Sequence, residues 1–135
     1  MNVVRSFREL ETYKMARTGA QEIFQLTKGF PKDERFSMTD QMRRSSRAVK
    51  ALLAEAWARR RYRAAFVNKV DEAMGEAMET QSWLDDALDC GYIAEEQHCQ
   101  LDNRRQMVGG MLSKMIIRAD DFCKRPPDYG DGAEG

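Results

Sequence analysis

Residues 70–91, VDEAMGEAMETQSWLDDALDCG, decide the fold. Val70, Met74, Ala77, Gln81, Leu84 and Leu88 recur at alternating steps of four and three. That spacing is the a/d seam of a helix packed nearly parallel to its neighbours. A half-buried strand would alternate at period two, and nothing in the chain does. Gly91 is the expected stop, because glycine takes the left-handed conformation that ends a helix.

The flanking segments supply partners for that seam. Pro31, Pro126 and Pro127 are the only prolines, so residues 32–125 can run as helices without interruption. Upstream, Leu10, Tyr13, Ala16, Ala20, Ile23, Phe24 and Thr27 lie on one helical face, which ends at KGFP with Gly29 and Pro31. Ser37 with Asp40 resembles a capping box for a second helix that buries Met42, Ser45, Val49, Leu52, Leu53 and Ala56. Downstream, Leu101, Val108, Leu112, Met115, Ala119 and Phe122 form a fourth seam ending at CKRPP. Helices two and three are joined by ARRRYRAAF, which has no Gly or Pro, and antiparallel packing puts the reversal near residues 60–64. The expectation is an all-α fold, an antiparallel up-down-up-down four-helix bundle over residues 1–124. Residues 125–135 have the composition of a flexible tail.

A chain of 135 residues is long enough for one unstapled core. Hydrophobic residues at 42% and charged residues at 33% read as soluble and globular. No apolar run is long enough for a membrane span or a signal peptide. Cys90, Cys99 and Cys123 are odd in number and lack close metal-ligand spacing, which points to reduced thiols and a cytoplasmic protein.

Charge is zero in sum but divided along the chain. Residues 39–70 hold nine Lys or Arg against two acids, whereas residues 71–102 hold ten acids and no Lys or Arg. Between copies, a basic face and an acidic face at different positions form a head-to-tail pair, and such contacts close into rings where the rotation permits. On helix two, Arg43, Arg47, Lys50 and Arg61 share a stripe with small alanines, beside Trp57. Arg59, Arg60, Arg61 and Arg63 add a second cluster. Trp and Arg are over-represented at interaction hot spots, so these eight residues are candidates for an oligomer interface or a nucleic-acid contact. Inside the seams, Gln81 with Arg44, Glu55 and Glu79 forms a candidate buried polar network, of the kind that fixes register.

Catalytic chemistry finds little support. A di-metal carboxylate bundle needs two Glu-x-x-His motifs, and EEQH at residues 95–98 contains the only histidine, His98. No nucleophile–base pair, glycine-rich phosphate loop or CxxC occurs, so no cofactor and no enzymatic activity are expected, with a di-metal enzyme as the remote alternative.

The stretches SFRELETYKMA, FPKDERFSMTDQMRRSSRAV, LAEAWARRRYRAAFVNKVDEAMGEAMETQSWLDDALDCGYI and GGMLSKMI resemble the 23S rRNA intervening-sequence proteins, also called the four-helix-bundle protein family. The resemblance runs from about Ser6 to Cys123. It implies a homo-oligomeric bundle, typically a five-membered ring, with no catalytic activity. Some members are similar to accessory proteins of diversity-generating retroelements, which implies a reverse transcriptase or RNA as an alternative partner. Many members carry Pro-x-Asn-Ile-Ala-Glu-Gly in helix two. The corresponding residues here, Lys50 to Ala56, match only at Ala54 and Glu55. The combined expectation is a non-enzymatic pentameric scaffold that associates with itself, with RNA or a ribonucleoprotein as a further partner.

Overall fold

The computed structural model describes residues 4–123. The tail expected over residues 125–135 lies outside them. Four long helices account for the architecture: α1 (Glu11–Thr27), α2 (Met38–Ala58), α3 (Arg63–Asp89) and α4 (Glu95–Ile117), with a single-turn α5 (Ala119–Phe122). No strand occurs among the described residues. α1 packs on α2 and α4, and α3 packs on the same two, so α1 and α3 are diagonal.

The core is divided along its length. One apolar cluster joins the start of α1 (Tyr13, Ala16), the end of α2 (Leu53, Ala56), the start of α3 (Phe66, Val70) and the end of α4 (Leu112, Met115). A second joins the opposite ends, through Ile23, Met42, Leu84 and Leu101. That membership requires each helix to run against the one before it. Between the clusters every helix contributes buried residues of another kind: Gly19 and Ala20, Ser45 and Ser46, Thr80, and Arg105. A thin polar layer therefore separates two apolar halves.

The seams largely follow the sequence pattern, but Leu52 on α2 and Phe122 are only half-buried, and α1 and α3 depart from it as well. Phe24 is half-buried and lies off the core. On α3 the central line is Phe66, Val70, Ala73, Ala77, Thr80, Leu84 and Ala87. Met74, Gln81 and Leu88 flank that line and are half-buried. Both lines satisfy the same four–three spacing, and small residues take the centre because α2 then approaches closely.

The helix ends are local chemistry. Gly91 has φ +75°, and Tyr92 N–H donates to Ala87 O at 2.9 Å while Gly91 N–H donates to Leu88 O at 3.0 Å, a Schellman stop. Gly29 does not adopt positive φ. α1 instead tightens through Phe30 N–H to Thr27 O at 3.1 Å, and the Thr27 hydroxyl donates to Ile23 O at 2.8 Å. Ser37 provides no side-chain cap to α2, so the expected capping box is absent. Glu34 accepts the Met38 N–H at 3.4 Å in its place. The reversal between α2 and α3 occupies residues 59–62.

Candidate interaction surfaces and the buried arginine layer

The basic residues of α2 divide into two groups rather than one stripe. Arg43 and Arg47 lie over the ring of Phe24 on α1, at 4.6 and 5.5 Å from its centroid, and Lys28 caps the same ring at 4.8 Å. Arg43 also donates to the Thr27 hydroxyl at 2.8 Å. Phe24 thus serves as an aromatic platform for three cations, each contact worth roughly 0.5–1 kcal/mol at exposed sites. Lys50 follows on α2 and is half-buried.

The second group gathers at the turn into α3. Arg60 stacks on Trp57 at 3.5 Å and donates to the Trp57 carbonyl at 2.8 Å. Partial burial pushes its guanidinium pKa down from the ordinary value. Arg63 pairs with Asp120 at 2.7 Å, while Arg59, Arg61 and Tyr62 are exposed.

The candidate polar network is neither buried nor single. Arg44 is exposed and bridges to Glu76 at 3.2 Å and to Glu79. The Arg44 guanidinium holds the Glu79 carboxyl below the usual carboxylate range, with the Trp83 indole N–H donating to the same group. Glu55 is exposed and pairs with Lys69 at 3.3 Å. Gln81 donates to Asp102 and to Gln106, each at 3.1 Å, across the α3–α4 edge. A polar residue one position earlier is the buried one. The Thr80 and Ser45 hydroxyls are 2.8 Å apart, and the Thr80 hydroxyl reaches the Glu76 carbonyl at 3.0 Å.

His98 shares the first turn of α4 with Glu95. Its Nε2 lies 2.8 Å from Asp85 on α3. Among the described residues no cluster of three or more His, Cys, Asp or Glu is placed to hold a metal, and Cys90, Cys99 and Cys123 are free thiols. Among the described residues no helix is long and apolar enough to cross a membrane.

Arg105 is the functional candidate that sequence reasoning missed. It sits on the α4 seam between Leu101 and Val108, is 1% exposed, and its Nε, Nη1 and Nη2 have no hydrogen-bond partner. Its guanidinium lies against Gly19 of α1, where a Cβ atom would fall 1.9 Å from Nη2. Burial lowers its pKa to about 10, which leaves the group charged at neutral pH. The nearest acid on α1, Glu22, is held instead by Arg104 through bonds of 2.5 and 2.9 Å. A cavity of about 250 Å³ opens between α3 and α4, with Arg105 among its lining residues and Met74, Ala77, Met78, Gly109 and Gly110 forming apolar walls. The missed signal was spacing: the interval from Leu101 to Val108 leaves room for one more inward position, which Arg105 fills.

Comparison with known proteins matches this geometry to a family. Residues 8–114 fit the model of the 23S rRNA-intervening sequence protein. A crystallised protein of unknown function from the S23 ribosomal protein family of Bacteroides thetaiotaomicron is 29% identical and superposes with a TM-score of 0.71, over 78% of this chain and 94% of its own. No curated protein matches the chain. With its helical architecture and more than half its length matched, the chain belongs to the 23S rRNA-intervening sequence protein family.

Proposed function

We propose that the protein is a non-enzymatic homo-oligomeric scaffold, a ring of five subunits built by head-to-tail contact. The observation that carries this reading is the outer face of α3 and α4. Met78 on α3 and Met107 on α4 are 59% and 56% exposed, and Gly75 and Gly110 have nothing within 4 Å of where a Cβ would sit. Exposed methionines over small residues suit an adaptable protein contact better than bare water. The opposite edge of the bundle presents Arg43, Arg47 and Phe24, a different surface, and two unlike surfaces are what a heterologous ring requires. Residues 71–102, which include Met78, hold ten acids and no Lys or Arg, a charge opposite to the second surface, with Glu76 and Glu79 already engaged by Arg44. Light scattering on the purified chain is expected to give one discrete species of five subunits. Met78→Glu with Met107→Glu should weaken association at least tenfold, and Arg43→Glu with Arg47→Glu should act in the same direction. A monomer at micromolar concentration in the wild type overturns the reading.

The α2–α3 turn favours a second reading, contact with single-stranded RNA. Arg59, Arg61 and Tyr62 are exposed beside the Arg60–Trp57 stack, and a ring repeats that turn, so weak phosphate contacts add through multivalency. Each phosphate neutralised on a single strand contributes about −0.7 to the slope of log affinity against log salt. Changing Arg59, Arg60, Arg61 and Arg63 to Ala should make that slope shallower. An unchanged slope excludes this turn as the contact.

A further inference from the structure

The turn between α2 and α3 carries an aromatic ring that the fold leaves bare. Tyr62 is 62% exposed, and among the described residues no other ring and no cation lies over it. Trp57 differs. It packs against the first apolar cluster and carries the Arg60 guanidinium 3.5 Å from its ring centroid. Its ring is taken from both directions, so the tyrosine is the open aromatic surface of this turn.

The backbone holds Tyr62 in place. Its N–H donates to Arg59 O at 2.9 Å, and its carbonyl accepts the Phe66 N–H, also at 2.9 Å. Phe66 is fully buried and stacked on Phe122, so the tyrosine stands on an anchored start of α3. A ring fixed in this way loses little freedom when a ligand settles on it. The charge around it has one sign. No Asp or Glu occurs between Glu55 and Asp71, and Asp120 of α5 is held by Arg63 at 2.7 Å. Arg59 and Arg61 are exposed within three residues of the ring. Met78, on the side face of the proposed ring contact, lies about 22 Å along α3 from Arg63, away from the turn.

We propose that Tyr62 is a base-stacking residue, which makes the partner of this turn RNA with unpaired bases, not a duplex and not a bare polyanion. The inference rests on the RNA reading of the turn given above. The flanking arginines meet phosphates, and one unpaired base lies on the tyrosine ring. Inside a duplex both faces of a base are already stacked, so the ring has nothing to receive. Stacking accepts every base, because each has a π face, and no sequence preference is expected.

The test measures binding of the full chain to a single-stranded RNA oligomer, to the same sequence as a duplex, and to inorganic polyphosphate, which has charge but no bases. Tyr62→Ala should weaken single-strand binding by about fivefold or more. The slope of log affinity against log salt should stay as in the wild type, because no phosphate contact is lost. Tyr62→Phe retains the ring and should restore most of the lost affinity. Polyphosphate should bind the wild type and Tyr62→Ala equally. The wild type should favour the single strand over the duplex, and Tyr62→Ala should narrow that preference. Single-strand affinity unchanged in Tyr62→Ala, an equal loss on polyphosphate, or a wild type that binds the duplex as tightly would overturn the proposal. If replacing the four arginines still makes the salt slope shallower, the RNA reading of the turn survives that result. A wild type that binds no RNA overturns both.

Discussion

Arg105→Met is expected to stabilise the protein by about 1–4 kcal/mol. Methionine fills similar length with apolar atoms and removes a charge whose three nitrogens have no acceptor. The interaction with Gly19 makes the prediction sharper. In the wild type, Gly19→Ala puts a Cβ 1.9 Å from Nη2 and 2.6 Å from Cζ, so the guanidinium must leave its place in a closed layer. The substitution should therefore destabilise, even though alanine is the better helix former by about 1 kcal/mol. In the Arg105→Met background that clash is gone and the same substitution should stabilise. A double-mutant cycle by urea unfolding reads the reversal directly. Gly19→Ala with the same sign in both backgrounds would show that the glycine is not there to admit the arginine.

Phe66→Ala is expected to cost about 3–5 kcal/mol, the usual range for emptying a buried aromatic site. Phe66 is fully buried in the first turn of α3, and its ring stacks on Phe122 of α5 with centroids 5.6 Å apart. It anchors α5 over the end of the bundle and fixes where the chain leaves the cation-rich turn. The loss can be measured by urea midpoint. A second readout comes from Cys123, which follows Phe122 and packs against the same cluster. Burial pushes the Cys123 thiol pKa up, so loosening α5 should speed its reaction with a thiol reagent, while Cys90 and Cys99, already exposed, should react as before. A change below about 1 kcal/mol would mean the cavity collapses or that this end contributes little to folding.

Helix number, direction and most core positions were legible because apolar spacing is a direct imprint of burial. Val49, Leu53, Leu84 and Leu112 could face only inward. The inner line of α3 was harder, since Met74, Gln81 and Leu88 obey the same spacing as Ala73, Thr80 and Ala87. Size at the closest approach decides between them, and that depends on the facing helix. The cations on α2 were visible as candidates, but their division into a Phe24 group and a Trp57 group was not. A helical wheel does not show which neighbouring aromatic a guanidinium finds. Ion-pair choice has the same origin: Arg44 reaches Glu76 and Glu79 rather than Glu55 because α3 runs beside it, with Lys69 taking Glu55. Arg105 was hidden for a simpler reason. A charged residue on a seam is read as an interruption, and only the missing Cβ on α1 shows that the fold made room for it.

That missing Cβ also limits how the helices can be aligned lengthwise. Heptad seams repeat, so α4 sliding along α1 by seven residues would still place most apolar side chains against apolar ones. Gly19 is the only glycine on α1, and the positions one repeat away are Thr12 and Leu26. Either of these would set a full side chain where the guanidinium now lies, and the slide would drive a cation into leucine and isoleucine. The arginine and the glycine thus form a key and a notch, which excludes offset bundles that hydrophobic patterning alone would tolerate.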